Sequence, residues 1–269
     1  MAQKEAVKKC EKALKELTGK KHVLFVQRGN VAIRQALRLA KRLGYKRVLI
    51  QDQGGWMTYK HFCKKEKLPC IELKTSFGLL DPSELDDYLD SALLINSMPG
   101  YAALQDMKAI MRACKERNML VINDASGSIG TPQAEKGDII LASFAKDKPV
   151  NILGHGGFVA SDNPEFIRIM KKGAPPFDID FPELLKRLGG LRKRLDHYRV
   201  IRSRVLDDLK DYDIIHRNRQ GINVIARFYS EMERERLINY CSQENLEFTV
   251  CPRDIRVKVD AISFEIKRK

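Results

Sequence analysis

Strand-like segments at residues 21–26, 47–50, 70–73, 92–96, 119–123 and 138–144, the last two of them apolar runs, alternate with stretches of helical periodicity at 31–43 and 104–117. Shorter helical pieces follow Trp56 and Asp81-Pro82. A strand, a helix and a parallel strand close by a right-handed crossover, and several in series build a mostly parallel sheet with helices against it. The alternation therefore predicts an α/β fold, the sheet sandwiched by helices. In such a sheet ligands gather outside the carboxyl ends of the strands. Gly29, Trp56, Met98, Asp124 and Ser143 all fall at those ends.

After Asp162 the pattern changes. Gly173-Ala174-Pro175-Pro176 breaks the helix that begins at Pro164, and a long basic helix is expected over residues 181–209. Strands are expected at 211–216, 222–228, 246–251 and 261–266, with a helix at 231–244. This reads as a small α+β C-terminal domain, so the chain divides into a large domain, 1–175, and a small one, 176–269.

The chemistry concentrates between residues 119 and 157. One buried-strand run ends on Asp124, and the next leads to Ser143, Lys146 and Lys148 and then a glycine turn at 154–157. That places an acid at one strand end, and a hydroxyl and amines at the next. Pyridoxal phosphate needs a lysine for its Schiff base, a carboxylate to keep its ring nitrogen protonated, and donors for its phosphate. A buried acid closing a strand, beside surface lysines, is the plainer reading of the same residues taken singly. An anion site is expected at Gln27-Arg28-Gly29-Asn30, where a strand turns into a helix and free backbone N–H groups converge at the positive end of the helix dipole.

The string Ser143-Phe144-Ala145-Lys146-Asp147-Lys148 with Gly154-His155-Gly156-Gly157 resembles the DegT/DnrJ/EryC1/StrS family of pyridoxal-phosphate-dependent aminotransferases. The resemblance implies that Lys148, not Lys146, carries the Schiff base and that Asp124 meets the ring nitrogen. It places Arg28, Gly29 and Asn30 on the family's phosphate-holding Ser-Gly-Thr segment, with Ser143 as a further phosphate anchor. Trp56, expected to open a helix, is the residue to stack on the pyridine ring, with Tyr59 in reserve. Arg256 is expected to grip a substrate carboxylate by bidentate pairing, and the fold implies a homodimer. Two segments depart from the family. Gly127 stands where the family has a glutamine that meets the cofactor hydroxyl, and Gly-Ala-Pro-Pro-Phe at 173–177 replaces a Gly-x-Asn-x-Arg segment. These departures point away from a sugar-nucleotide substrate, toward an aminotransferase for a small amine or amino acid. A tRNA-linked enzyme using the same cofactor and a non-catalytic protein of the same fold are the alternatives.

Of the 269 residues, 43% are hydrophobic and 31% charged, with a formal net charge of +14. Such a charge favours anionic partners. The basic residues of 184–204 nevertheless spread over more than one helical face, so a solvated surface is expected and nucleic acid is not favoured. The six cysteines form no C-x-x-C pair, which points to reduced thiols rather than zinc or disulfides. No apolar run reaches membrane-spanning length, and residues 1–17 carry no signal-peptide core, so a cytoplasmic protein without a membrane partner is expected.

Overall fold

The computed structural model describes residues 2–152, 155–175 and 177–269. Gly154 of the glycine turn and Pro176 of the break at 173–176 lie outside the described residues.

Helix α1 (Ala2–Thr18) precedes strand β1 (His22–Val26) and helix α2 (Gly29–Arg42). Strands β2 (Val48–Gln51), β3 (Cys70–Leu73), β4 (Ala92–Asn96), β5 (Leu120–Asp124), β6 (Ile139–Ser143) and β7 (Gly157–Ser161) complete one sheet. Helices α3 (Tyr59–Lys65), α4 (Met107–Glu116) and α5 (Pro164–Lys172) lie between or after them. The order is β1-β7-β6-β5-β4-β2-β3, parallel from β6 to β3, with β7 antiparallel to both β6 and β1.

Alternation along the central strands explains why β4, β5 and β6 are apolar over most of their length. Leu94, Ile122 and Leu141 turn to one face and pack with Ile33, Leu37 and Ala40 of α2. Leu93, Ile95 and Val121 turn to the other and meet Met107 and Ile110 of α4. Fully burying one such side chain is worth about 1.5–3 kcal/mol, so a sheet covered on both faces has no use for polar positions in its middle.

The later part holds α6 (Phe181–Gly189), α7 (Leu191–Asp208), β8 (Val224–Arg227), α8 (Glu231–Gln243), β9 (Phe248–Cys251) and β10 (Ala261–Phe264). The last three strands form an antiparallel sheet in the order β8-β10-β9. Two expectations change here. The basic helix is two helices, because Gly189-Gly190 interrupts it and Gly190 is at once the C-cap of α6 and the residue preceding α7. A glycine pair is among the poorest helix formers. Residues 211–216 form a turn with a single bridge, Ile214 to Ala226, rather than a strand. The carbonyls at the end of α7 need donors, and Arg217 supplies them, reaching Leu206, Leu209, Lys210 and Tyr212. His216, at φ +56, turns the chain so that it can.

One core cluster joins the two parts. It contains Leu14 of α1, Phe158 of β7, Leu184 of α6, Leu195 of α7 and Phe264 of β10.

Candidate active site

β5 ends on Asp124, flanked by Asn96 of β4 and Leu141 of β6. The carboxylate is buried and held from two sides. Ser126 N–H donates to one oxygen at 3.0 Å, and the Tyr59 hydroxyl donates to the other at 2.6 Å. Burial first, and the Asp124 charge second, raise the Tyr59 phenol well above its ordinary range, so Tyr59 remains a neutral donor. Tyr59, the reserve for ring stacking, thus serves the carboxylate instead.

Trp56 precedes α3 by three residues and lies outside the helix. The glycines before it have no helical preference, so the first turn waits for Tyr59. The indole Nε1–H donates to Asn30 Oδ1 at 2.9 Å, and Thr58 donates to the same oxygen at 3.2 Å. The Asn30 side chain therefore fixes the tryptophan. Its backbone N–H, in the first turn of α2, takes no protein partner among the described residues. Arg28 stands exposed beside it on the rim of the same cavity.

Gly29 is required by a close approach. A Cβ there would lie 2.7 Å from Ser143 Cβ, inside contact distance. Ser143 is anchored by its own N–H to Ser126 Oγ at 3.0 Å, while its hydroxyl accepts Ala145 N–H at 3.2 Å. The described glycines of the turn after Lys148 work in the same seam. A Cβ at Gly157 would sit 2.8 Å from the Ala142 carbonyl and 3.1 Å from Gly29 N, and Gly156 bridges Arg28. What those glycines let approach is the amino end of α2.

Lys148 is half-buried, whereas Lys146 is exposed. The Lys148 amine donates to the Tyr101 hydroxyl and lies 5.1 Å from the centroids of both the Trp56 and Tyr101 rings. A cavity of about 410 Å³ takes in Arg28, Gly29, Asn30, Trp56, Asp124, Ser143 and Lys148 together. Its donor set is an amine, a carboxylate with a neutral hydroxyl behind it, an indole face and the amino end of a helix.

Arg256 also reaches this cavity, but its guanidinium is already engaged. Nε and Nη2 each donate to the Glu265 carboxylate at 2.8 Å, and Nη1 donates to the Ile255 carbonyl at 2.8 Å. The bidentate partner expected of a substrate is here an internal residue. Glu265 has no exposed surface, and Lys267 approaches it at 3.4 Å. Burial would push the Glu265 carboxyl up, but Arg256 and Lys267 hold it at about 2. Burial, with repulsion from Arg256 and Lys148, brings the Lys267 ammonium down to about 8 against the pull of Glu265.

Tyr101, Glu265 and Lys267 were not singled out by sequence reasoning. The loop of Tyr101 is visible at a strand end, but nothing marks its phenol. Glu265 and Lys267 carried a usable signal, since each is a charge interleaved with the apolar residues Phe264 and Ile266.

The sequence profile of the DegT/DnrJ/EryC1/StrS aminotransferase family matches residues 1–200. No curated protein matches the chain in sequence. Among solved structures, a DegT/DnrJ/EryC1/StrS aminotransferase from Brucella abortus superposes with a TM-score of 0.76 at 14% identity, covering 97% of this chain and 84% of that one. PseC of Helicobacter pylori, an aminotransferase involved in the biosynthesis of pseudoaminic acid, gives a TM-score of 0.74 at 13% identity, with 95% and 84% covered. The E. coli GDP-4-keto-6-deoxy-D-mannose-3-dehydratase with bound hydrated pyridoxal phosphate gives 0.72 at 16% identity, with 91% and 77% covered. The chain belongs to the DegT/DnrJ/EryC1/StrS aminotransferase family and is a pyridoxal-phosphate-dependent transferase.

Proposed function

We propose that the protein is an aminotransferase for a small amine or amino acid, with Lys148 as the lysine that carries the cofactor. The observation that carries this reading is the convergence of the Lys148 amine, the Trp56 ring and the Asp124 carboxylate on one cavity. The residues fit pyridoxal phosphate. Asp124 retains lone pairs beyond its two protein donors, and the seam at Gly29 brings Ser143 against the amino end of α2. When bound, the cofactor supplies a ring that accepts electrons from the carbon beside a substrate amine.

The chain's own residues then have distinct tasks. Asp124 holds a proton on the ring nitrogen by a charge-assisted hydrogen bond, and Tyr59 orients that carboxylate. Trp56 covers the ring, pinned by Asn30. The Asn30 N–H, Ser143 and Arg28 receive the phosphate. Lys148 takes and returns the proton at the substrate carbon. Arg256 is bound to Glu265, so a substrate carboxylate must either displace Glu265 or find another cation, and a substrate without a carboxylate fits the wall as it stands.

Borohydride reduction of the loaded protein and peptide mapping should place the pyridoxyl adduct on Lys148. An adduct on Lys146 would overturn the assignment.

We infer the division into 1–175 and 176–269 from the change of pattern after Asp162, a cytoplasmic location from the sequence, and a homodimer from the family resemblance. Among the described residues no helix is long and apolar enough to cross a membrane. Light scattering that gave a monomer with cofactor bound would count against a site shared between subunits.

A further inference from the structure

Tyr101 has no place in the roles assigned so far, yet its hydroxyl is the acceptor for the Lys148 amine. Its backbone is unusual. Tyr101 lies at φ +63 directly after Gly100 at φ +59. A bulky residue is kept at positive φ only where its surroundings over-determine it. Here the Tyr101 carbonyl accepts two N–H groups, from Ile222 at 2.9 Å and Asn223 at 2.8 Å.

The ring is fixed as firmly as the backbone. On one edge it lies against Gly127, where an added Cβ would meet ring carbons at 3.0 and 3.1 Å. Gly127 is therefore glycine because the Tyr101 ring needs the space. Around the ring are Lys267 Nζ at 4.7 Å and the Arg256 guanidinium at 5.3 Å from its centroid. Cations are drawn to an aromatic face, and both are tied down by Glu265, which also accepts from Asn223 Nδ2 at 3.0 Å.

Lys148 and Lys267 repel one another, and the Lys148 amine lies beside the Tyr101 hydroxyl, 5.1 Å from the centroids of both the Trp56 and the Tyr101 rings. Lys267 also donates to the carbonyl of Asp147, the residue before Lys148, at 3.1 Å. Asp147 is itself held at φ +64.

We propose that Tyr101 is the positioning residue for Lys148, its hydroxyl holding the amine at the cavity wall while the Arg256–Glu265–Lys267 frame holds its ring. This rests on the reading of Lys148 as the cofactor-carrying lysine. The test follows capture of pyridoxal phosphate by cofactor-free full-length protein, by absorbance, and maps the borohydride-trapped adduct. Tyr101→Phe keeps the ring and should capture at least fivefold more slowly, with the adduct still on Lys148 and the thermal midpoint unchanged. The visible circular dichroism of the bound cofactor should also weaken, a signature that a merely structural tyrosine would not alter. Gly127→Ala, which presses on the ring without touching the hydroxyl, should slow capture in the same direction, so the test survives if Tyr101→Phe is unstable. Wild-type capture rates and dichroism in the folded variants would overturn the role of Tyr101 and leave Lys148 standing. An adduct away from Lys148 in the wild type would remove the reading on which the proposal rests.

Discussion

Glu265 is a carboxylate with no exposed surface, bound to Arg256 by two hydrogen bonds and approached by Lys267. Its carboxyl is held at about 2 against an ordinary 4.5. A lowered acid contributes stability that is present above the unfolded value and lost as pH falls toward the folded one. The loss should therefore run from about pH 4.5 down to about 2, on the order of 3 kcal/mol in all. Lys267 acts at the other end. Its ammonium is lowered to about 8 from 10.5, so its cost is present below about 8 and is relieved as pH rises to 10.5. Glu265→Gln leaves two buried cations without a counter-charge and should cost about 3–5 kcal/mol in urea unfolding. It should also flatten the acid limb of the stability profile. At Asp124 the expected loss is functional. Asp124→Asn should keep the cofactor's colour yet lose most turnover, since a charge-assisted hydrogen bond is worth about 1.5–3 kcal/mol, and Asp124→Ala should lose the cofactor too. Undiminished turnover in Asp124→Asn would rule out its role at the ring nitrogen.

The elements bring their ends together through small residues. Gly29 and Ser143 meet where α2 starts and β6 stops, and no other residue type fits at 29 without moving one of them. Gly29→Ala should weaken pyridoxal phosphate binding about tenfold or more by equilibrium titration, because a displaced donor loses roughly 1–2 kcal/mol. Legibility follows the same division. β4 was readable residue for residue, because a central strand covered on both faces is buried from end to end; β3, at the edge of the sheet with Glu72 exposed, was readable by its position between helical stretches. The position of Asp124 followed from the same rule. What the sequence hid were contacts between distant segments. Nothing local marks Asn30 as the partner of Trp56, Tyr59 as that of Asp124, or Glu265 as the occupant of Arg256. The strand expected at 211–216 failed because the chain turns at His216 and brings Arg217 to the carbonyls at the end of α7, a demand made elsewhere in the chain.

For the molecule as a whole the net charge of +14 already counts every acid, yet several basic side chains of α6 and α7 are engaged locally. Arg187 pairs with Glu183, Arg199 with Asp196 and Arg204 with Glu244, and Arg194 donates to the Pro149 carbonyl. A docking face for nucleic acid would keep such side chains free in one stripe, each neutralised phosphate adding about −0.9 to the slope of log affinity against log salt. Binding to tRNA should accordingly be weak and vanish near physiological salt, as filter binding across a salt series would register. A complex that persisted there, and was lost on reversing charges along α7, would favour the tRNA-linked alternative. The topology carries a different consequence. β1 has β7 as its partner in the sheet, in register from His22 with Ser161 to Val26 with Gly157, and α1 packs on α6. On the ribosome, residues 1–26 therefore emerge well before the strand that pairs with β1 and the helix that packs on α1. A nascent chain stalled just short of β7 must show an unpaired strand edge and a bare apolar helix face, the features that recruit chaperones and invite aggregation. Protease nicking within the first 26 residues should persist in such stalled chains and cease once translation has passed α6.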